Sequence, residues 1–372
     1  MTRLREALRG IAEQAPQVDL TELVAAGGRR RRRRAQVVLA LAAAAVTMIG
    51  VVTGAALIGG PYRGGPYRGG ATPGQGAAAV PDLPGGAVGE IQHAYRTRCR
   101  GTAFDRDACA IAEWRVVTRT GRTYRVPQAL AFTENMRELP VALSRDGRGF
   151  AYYDRRAGTY VVRDMVTGAT RTASVRVARS AVGVGARLAL SDDSRYLVFD
   201  PRVGGKDPAL LIDMRTGRTV SIPARYNTIS VQGGVALLVR YRKTDLWLMP
   251  VDGHAPKPVR FKGTFILFSE LAPDGRTVSA VELDEYNTKR ITLLDAKTGR
   301  ILRKVTIRGL PKDAYLSYGA VWRSGSELIV HSYYKNSMRA YAVDVGTGKA
   351  RQIATYEGYL ERLISMPGIV AQ

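Results

Sequence analysis

The order of apolar and polar positions divides this chain into four stretches of different character. Residues 3–15 carry a helical stripe. Leu4, Ala7, Leu8, Ile11, Ala12 and Ala15 share one face, with Arg3, Arg5, Arg9 and Glu13 elsewhere. Thr2 is placed to cap this helix and Pro16 to end it; a second short helix, Leu20–Ala26, is entered at Asp19 and stopped by Gly27-Gly28. Next comes an uncharged apolar run of 22 residues, Val37–Ile58. At about 1.5 Å per helical residue it reaches roughly 33 Å, enough to cross a hydrocarbon core of roughly 30 Å. A helix is also the form that satisfies every backbone group of a single segment in lipid. Gly59 to Pro84 shows no apolar period and holds a tandem Pro-Tyr-Arg-Gly-Gly, residues 61–65 and 66–70. Such density of Gly and Pro makes a linker rather than a core.

Six arginines, Arg29, Arg30, Arg31, Arg32, Arg33 and Arg34, stand directly before the apolar run. Basic residues flanking a span stay cytoplasmic, so the run is a topology signal rather than a nucleic-acid site. The segment is longer than the roughly 7–15-residue apolar region of a signal peptide, which favours an uncleaved anchor. The expected layout is a cytoplasmic tail, residues 1–36, a transmembrane helix, 37–58, a linker, 59–84, and an extracytoplasmic domain, 85–372.

Beyond Pro84 the pattern becomes short apolar runs bounded by turn residues. Examples are Arg115–Val117, Phe150–Tyr153, Tyr196–Phe199, Leu210–Ile212, Val235–Val239, Leu246–Met249, Ile291–Leu294, Leu328–Val330 and Ala340–Val343. These read as strands, and no helix pattern stands among them.

The strands repeat at a longer period. One element is Asp164-Met165-Val166-Thr167-Gly168, returning as Asp213 to Gly217-Arg218, Asp295 to Gly299-Arg300 and Asp344 to Gly348-Lys349. Weaker copies lie at Arg119–Arg122 and Val251–Gly253. The repeat glycines fall at 121, 168, 217, 253, 299 and 348, at intervals of 47, 49, 36, 46 and 49. Asp hydrogen-bonds its own turn and Gly supplies a left-handed residue, so these eight positions in the strong copies (Asp164, Gly168, Asp213, Gly217, Asp295, Gly299, Asp344, Gly348) are assigned to structure. A second element leads each unit: Leu143-Ser144-Arg145-Asp146-Gly147-Arg148, Leu190 to Arg195, and Leu271 to Arg276. Degenerate versions stand at Val231–Gly234 and Trp322–Ser326. One unit is thus four strands joined by a leading turn, a variable loop and a trailing turn.

Six units of this length match the four-stranded blade of a β-propeller. The Leu-Ser-x-Asp-Gly-Arg and Asp-x-x-Thr-Gly-x turns resemble the TolB-like branch of WD-type propeller repeats, over roughly residues 109–372. The expected fold class is all-β, a propeller of six blades with a seventh left open. The first unit, about 86–130, lacks a leading strand. The run Leu360–Val370 supplies a surplus strand, which predicts ring closure and removes exposed edges. The layout of tail, arginine run, span and outer domain also resembles single-span proteins of high-GC Gram-positive bacteria.

Charge and chemistry add less. The formal net charge is +24. The tail before the span holds nine arginines against Glu6, Glu13, Asp19 and Glu22, or +5, which leaves +19 almost wholly in the outer part. Such a balance favours anionic envelope partners, or simply a basic solvated surface. Cys99 and Cys109 are a candidate disulfide in an oxidising exterior. No phosphate loop, zinc motif or nucleophile elbow occurs. His93, His254 and His331 are scattered, and Asp192-Asp193 and Asp284-Glu285 read as turn residues. The expectation is therefore no catalytic, cofactor or metal residue and no nucleic acid. Three functions fit: a non-enzymatic binding or scaffold module for a protein or anionic envelope polymer; a transmembrane, anti-sigma-like regulator whose residues 1–28 hold a cytoplasmic protein; and an extracytoplasmic hydrolase or lyase.

Overall fold

The computed structural model describes residues 79–97, 112–201, 206–241, 244–253, 257–334, 337–357 and 364–370. The tail, Arg29–Arg34, the span 37–58, most of the linker, Cys99 and Cys109 lie outside these residues, as does His254. Among the described residues no helix is long and apolar enough to cross a membrane.

The described chain forms six four-stranded antiparallel sheets, the blades of a propeller. Blade 1 contributes β1 (Ile91–Arg96), β2 (Trp114–Thr118) and β3 (Thr123–Arg125). Blade 2 is β4 (Ala142–Leu143), β5 (Gly149–Asp154), β6 (Thr159–Asp164) and β7 (Thr170–Thr172). Blade 3 is β8 (Arg187–Leu190), β9 (Tyr196–Asp200), β10 (Ala209–Asp213) and β11 (Thr219–Ile222). Blade 4 is β12 (Asn227–Gln232), β13 (Val235–Arg240), β14 (Asp245–Pro250) and β15 (Val259–Arg260). Blade 5 is β16 (Phe265–Ile266), β17 (Thr277–Glu282), β18 (Arg290–Asp295) and β19 (Ile301–Thr306). Blade 6 is β20 (Tyr315–Trp322), β21 (Glu327–Tyr334), β22 (Ser337–Asp344) and β23 (Ala350–Glu357). The last strand, β24 (Ile364–Ser365), pairs antiparallel with β1, Ala94 opposite Ser365, and becomes the inner strand of blade 1. The ring is closed as the surplus strand predicts, with six blades among the described residues.

Every strand set in the sequence by an apolar run is found. The core follows from how blades stack. Each blade is apolar on both faces, so its side chains interleave with those of its neighbours rather than filling a centre. Phe150 and Tyr152 pack against Trp114 and Val116 between blades 1 and 2. Tyr153, Tyr160 and Phe199 do the same between blades 2 and 3. Phe261, Phe265 and Phe268 fill the seam between blades 4 and 5, and Trp322 lies in the seam between 5 and 6. Each such buried side chain contributes about 1.5–3 kcal/mol of apolar burial. The axis is left free for other uses.

Both repeat turns lie at the same end of the ring, here the turn end; the variable loops lie at the other, the loop end. The trailing turn is built as its sequence requires. Asp295 Oδ1 accepts the backbone N–H of Lys297 at 2.9 Å and of Thr298 at 3.2 Å, and Gly299 donates to the Asp295 carbonyl at 2.8 Å with φ +76°. Asp164, Asp213 and Asp344 repeat this geometry with Gly168, Gly217 and Gly348. The two turns of a blade are also tied to each other. The arginine ending the leading turn donates to the aspartate opening the trailing turn: Arg148 to Asp164 at 2.9 Å, Arg195 to Asp213 at 2.8 Å, and Arg276 to Asp295 at 2.5 Å. These hydrogen bonds, with those from the turn amides, hold the Asp213 and Asp295 carboxyls well below the usual carboxylate range.

The chain meets the ring from Asp82, which bridges in parallel to Arg125 on the outer edge of β3. Arg163 of β6, itself buried, then donates to the carbonyls of Pro84 and Gly86. Gly85 and Gly86 lie so close to Gly168 that a Cβ there would stand 2.7 Å from the Gly85 carbonyl oxygen. Glycine at 168 thus answers two demands, a left-handed φ and a backbone crossing.

Candidate functional site

In blades 2–6 the inner strand runs from the loop end to the turn end. Residues at its start and finish therefore line opposite ends of one axial channel. At the turn end, side chains from four blades converge. Arg145 of blade 2 lies 3.0 Å from Asp192 of blade 3 and 3.4 Å from Glu270 of blade 5. Gln232 of blade 4 donates to Glu270 Oε2, and the backbone N–H of Trp322, from blade 6, donates to Oε1 at 2.8 Å. Trp322 also donates its indole N–H to Ser269 Oγ at 3.2 Å. Glu270, on blade 5, is thus a hub that ties its own blade to blades 2, 4 and 6. Its side chain is 1% exposed, and burial pushes its carboxyl up to about 7 against the opposing pull of Arg145. Burial likewise raises Asp192, again opposed by Arg145.

The C-terminal segment crosses the channel at this level. Gly368 donates its N–H to the Leu143 carbonyl at 3.1 Å, and Ile369 and Val370 follow along blades 2, 3 and 4. Between this segment and the loop end lies a cavity of about 250 Å³. It exists because three inner strands depart from regular pairing at the same depth. β12 slips register between Thr228 and Ser230. β20 slips between Ser317 and Val321. β16 stops after two residues, and Leu267 turns left-handed with φ +51°. Bulges and left-handed residues of this kind concentrate where side chains are aimed at a site.

The cavity is amphiphilic. Ile229, Ile266, Leu267, Phe268 and Ile369 give it apolar walls, and Glu270 sits on its lining. At the loop end Arg187 opens β8 and Thr228 lies beside it on β12. Arg187 donates to Asn227 Oδ1 at 3.3 Å, while its Nε–H and the Thr228 hydroxyl have no hydrogen-bond partner among the described residues. Thr228 is 2% exposed. Burial raises the Tyr241 hydroxyl on the same wall, with Arg187 opposing. His331 stands behind the β20 bulge; burial pushes its ring down to about 4, opposed by a hydrogen bond to the Gly319 backbone.

Of the residues singled out in the sequence, Asp192 is more than the turn residue expected, because its carboxylate pairs with Arg145 on the axis; the others lie elsewhere. The turn aspartates and glycines sit on the turn-end rim. Asp193 caps its own turn, accepting from Ser191 Oγ at 2.6 Å, and Glu285 pairs with Arg290 at 2.8 Å. Among the described residues no group of three or more His, Cys, Asp or Glu is placed to hold a metal. The axial residues have one legible signature. Arg145 and Asp192 occupy the x position of Leu-Ser-x-Asp, which the turn chemistry leaves unassigned. Arg187, Thr228 and Glu270 carry no such mark.

No family model matches the chain, and no curated protein matches it. Solved structures do match. TolB from Acinetobacter baumannii is similar with a TM-score of 0.45 at 16% identity, over 75% of this chain and 65% of that one. This chain thus spans just under two thirds of TolB. A nidogen/laminin complex is similar with a TM-score of 0.44 at 12% identity, over 76% and 98%. An oligogalacturonate lyase in complex with manganese is similar with a TM-score of 0.37 at 17% identity, over 58% and 64%. These are likenesses of fold among propellers of differing use.

Proposed function

We propose that the chain is a non-enzymatic binding module, a propeller held outside the membrane by one N-terminal span, with recognition centred on its axis. The apolar run Val37–Ile58 behind Arg29–Arg34 supports the anchor and its direction. The observation that carries the binding reading is the axial cavity: apolar walls with a few convergent polar groups are the ordinary composition of a ligand site. The excess of basic residues supports an anionic partner of the envelope.

The test uses the full-length chain in its own membrane. A cysteine at exposed Val184 should react with an impermeant maleimide on intact cells. Ile229→Trp, which fills the cavity, should abolish retention of the partner captured with the unmodified chain. Labelling only after permeabilisation would overturn the topology. Equal retention by Ile229→Trp would overturn the axial site.

A further inference from the structure

The channel's loop end carries two donors that no described residue accepts. The Arg187 Nε–H and the Thr228 hydroxyl come from adjacent inner strands and both line the cavity. A buried donor left without an acceptor costs about 1–3 kcal/mol, so an acceptor bound in the cavity would be favoured beside these two. Among the described residues Arg187 forms no ion pair, unlike Arg145 at the opposite end, which is shared between Asp192 and Glu270. The charge pattern of the channel is therefore directional: a cation with spare donors at one end, a carboxyl hub at the other, and apolar walls between.

From this we infer that the axial cavity takes a small organic monocarboxylate, its carboxylate on Arg187 and Thr228 and its apolar body against Ile229, Leu267 and Phe268. The inference rests on the axial site proposed above and adds the chemical class of its occupant. A guanidinium and a hydroxyl match the two oxygens of a carboxylate. The volume of about 250 Å³ lies just under the roughly 300–1,000 Å³ of drug-sized pockets, which sets the size at a short branched or aromatic acid. A second negative charge is excluded from the ligand's far end. Glu270 Oε1 already accepts the Trp322 N–H and Oε2 the Gln232 amide, with Arg145 in ion-pair range at 3.4 Å, and a further anion there would face a carboxyl.

The experiment is a calorimetric titration of the full-length protein in mild detergent with isocaproate, isocaproamide and isohexylamine. Isocaproate should bind, and the amide and the amine should bind at least about tenfold more weakly, since they lack the acceptor pair. Arg187→Met, which keeps the apolar stem, should weaken isocaproate about ten- to hundredfold and weaken the amide far less. Thr228→Val should weaken it a few-fold, and Arg187→Lys should restore part of the loss. Tryptophan fluorescence of each variant checks that the ring is folded. Equal binding of acid and amide, preference for the amine, or isocaproate binding indifferent to Arg187→Met would overturn the carboxylate assignment. If Ile229→Trp still abolishes partner capture, that result leaves the axial reading standing. Failure of all three probes to bind the folded protein would overturn the inference as well.

Discussion

Glu270 gives the most quantitative handle on the channel. Its carboxyl is pushed from 4.5 to about 7, chiefly by burial, although Arg145 pulls the other way. The folded ring therefore binds the Glu270 proton more tightly than the unfolded chain does. Between about pH 4.5 and 7 the folded state holds the extra proton, so stability falls as pH rises through this window and levels off above it. A shift of about 2.5 units at about 1.36 kcal/mol each corresponds to about 3 kcal/mol. Glu270→Gln keeps the shape and removes the titration. The groups facing it, Arg145, Asp192, Gln232 and the Trp322 amide, remain. Urea unfolding followed by tryptophan fluorescence reads the ring selectively, because all three tryptophans, Trp114, Trp247 and Trp322, lie in its strands. The stability of the native chain minus that of Glu270→Gln should drop by up to about 3 kcal/mol between pH 5 and 8. A difference that is flat or rises over this range would refute the reasoning.

Other consequences are equally direct. Asp213 and Asp295 have depressed carboxyls, so their contribution is present above about pH 4 and lost as pH falls below it; Asp295→Ala should cost about 2 kcal/mol at neutral pH and flatten the acid limb of the stability profile. Gly275 and Gly348 both have left-handed φ, but a Cβ at 275 meets nothing within 4 Å whereas one at 348 stands 2.2 Å from the Thr306 carbonyl. Gly275→Ala should therefore cost about 1 kcal/mol and Gly348→Ala at least about twice that, read as urea midpoints. Ala94 and Ser365 are direct partners across β1 and β24, so Ala94→Cys with Ser365→Cys should oxidise to an intrachain disulfide that shifts gel mobility; a mixture of free thiols would count against closure by the C-terminal strand.

How far the sequence reaches differs sharply between scaffold and site. The four-stranded blade, both turn types and closure are legible, and the blade count to within one, because they rest on local chemistry that repeats: an aspartate that accepts its own turn amides, a glycine at positive φ, an apolar run on either side. The Arg–Asp tie between the two turns was present in the repeat, since Arg148, Arg195 and Arg276 end each strong leading element, but only the folded blade shows the arginine reaching the other turn. The axial cavity was not legible. It depends on where β12 and β20 slip register and on Leu267 adopting a left-handed conformation that its residue type does not announce. Glu270 likewise becomes a hub through partners 38 and 52 positions away in the chain, a distance that no local pattern encodes.

The most direct measurement places a photoreactive residue at Ile229, on the axis, and separately at Ile301, on the exposed outer strand of blade 5, in the full-length protein within its own membrane. Recognition along the axis predicts an adduct from position 229 that disappears with Arg187→Met, and none from position 301. An adduct from 301 alone, or one from 229 that persists unchanged in Arg187→Met, would contradict it.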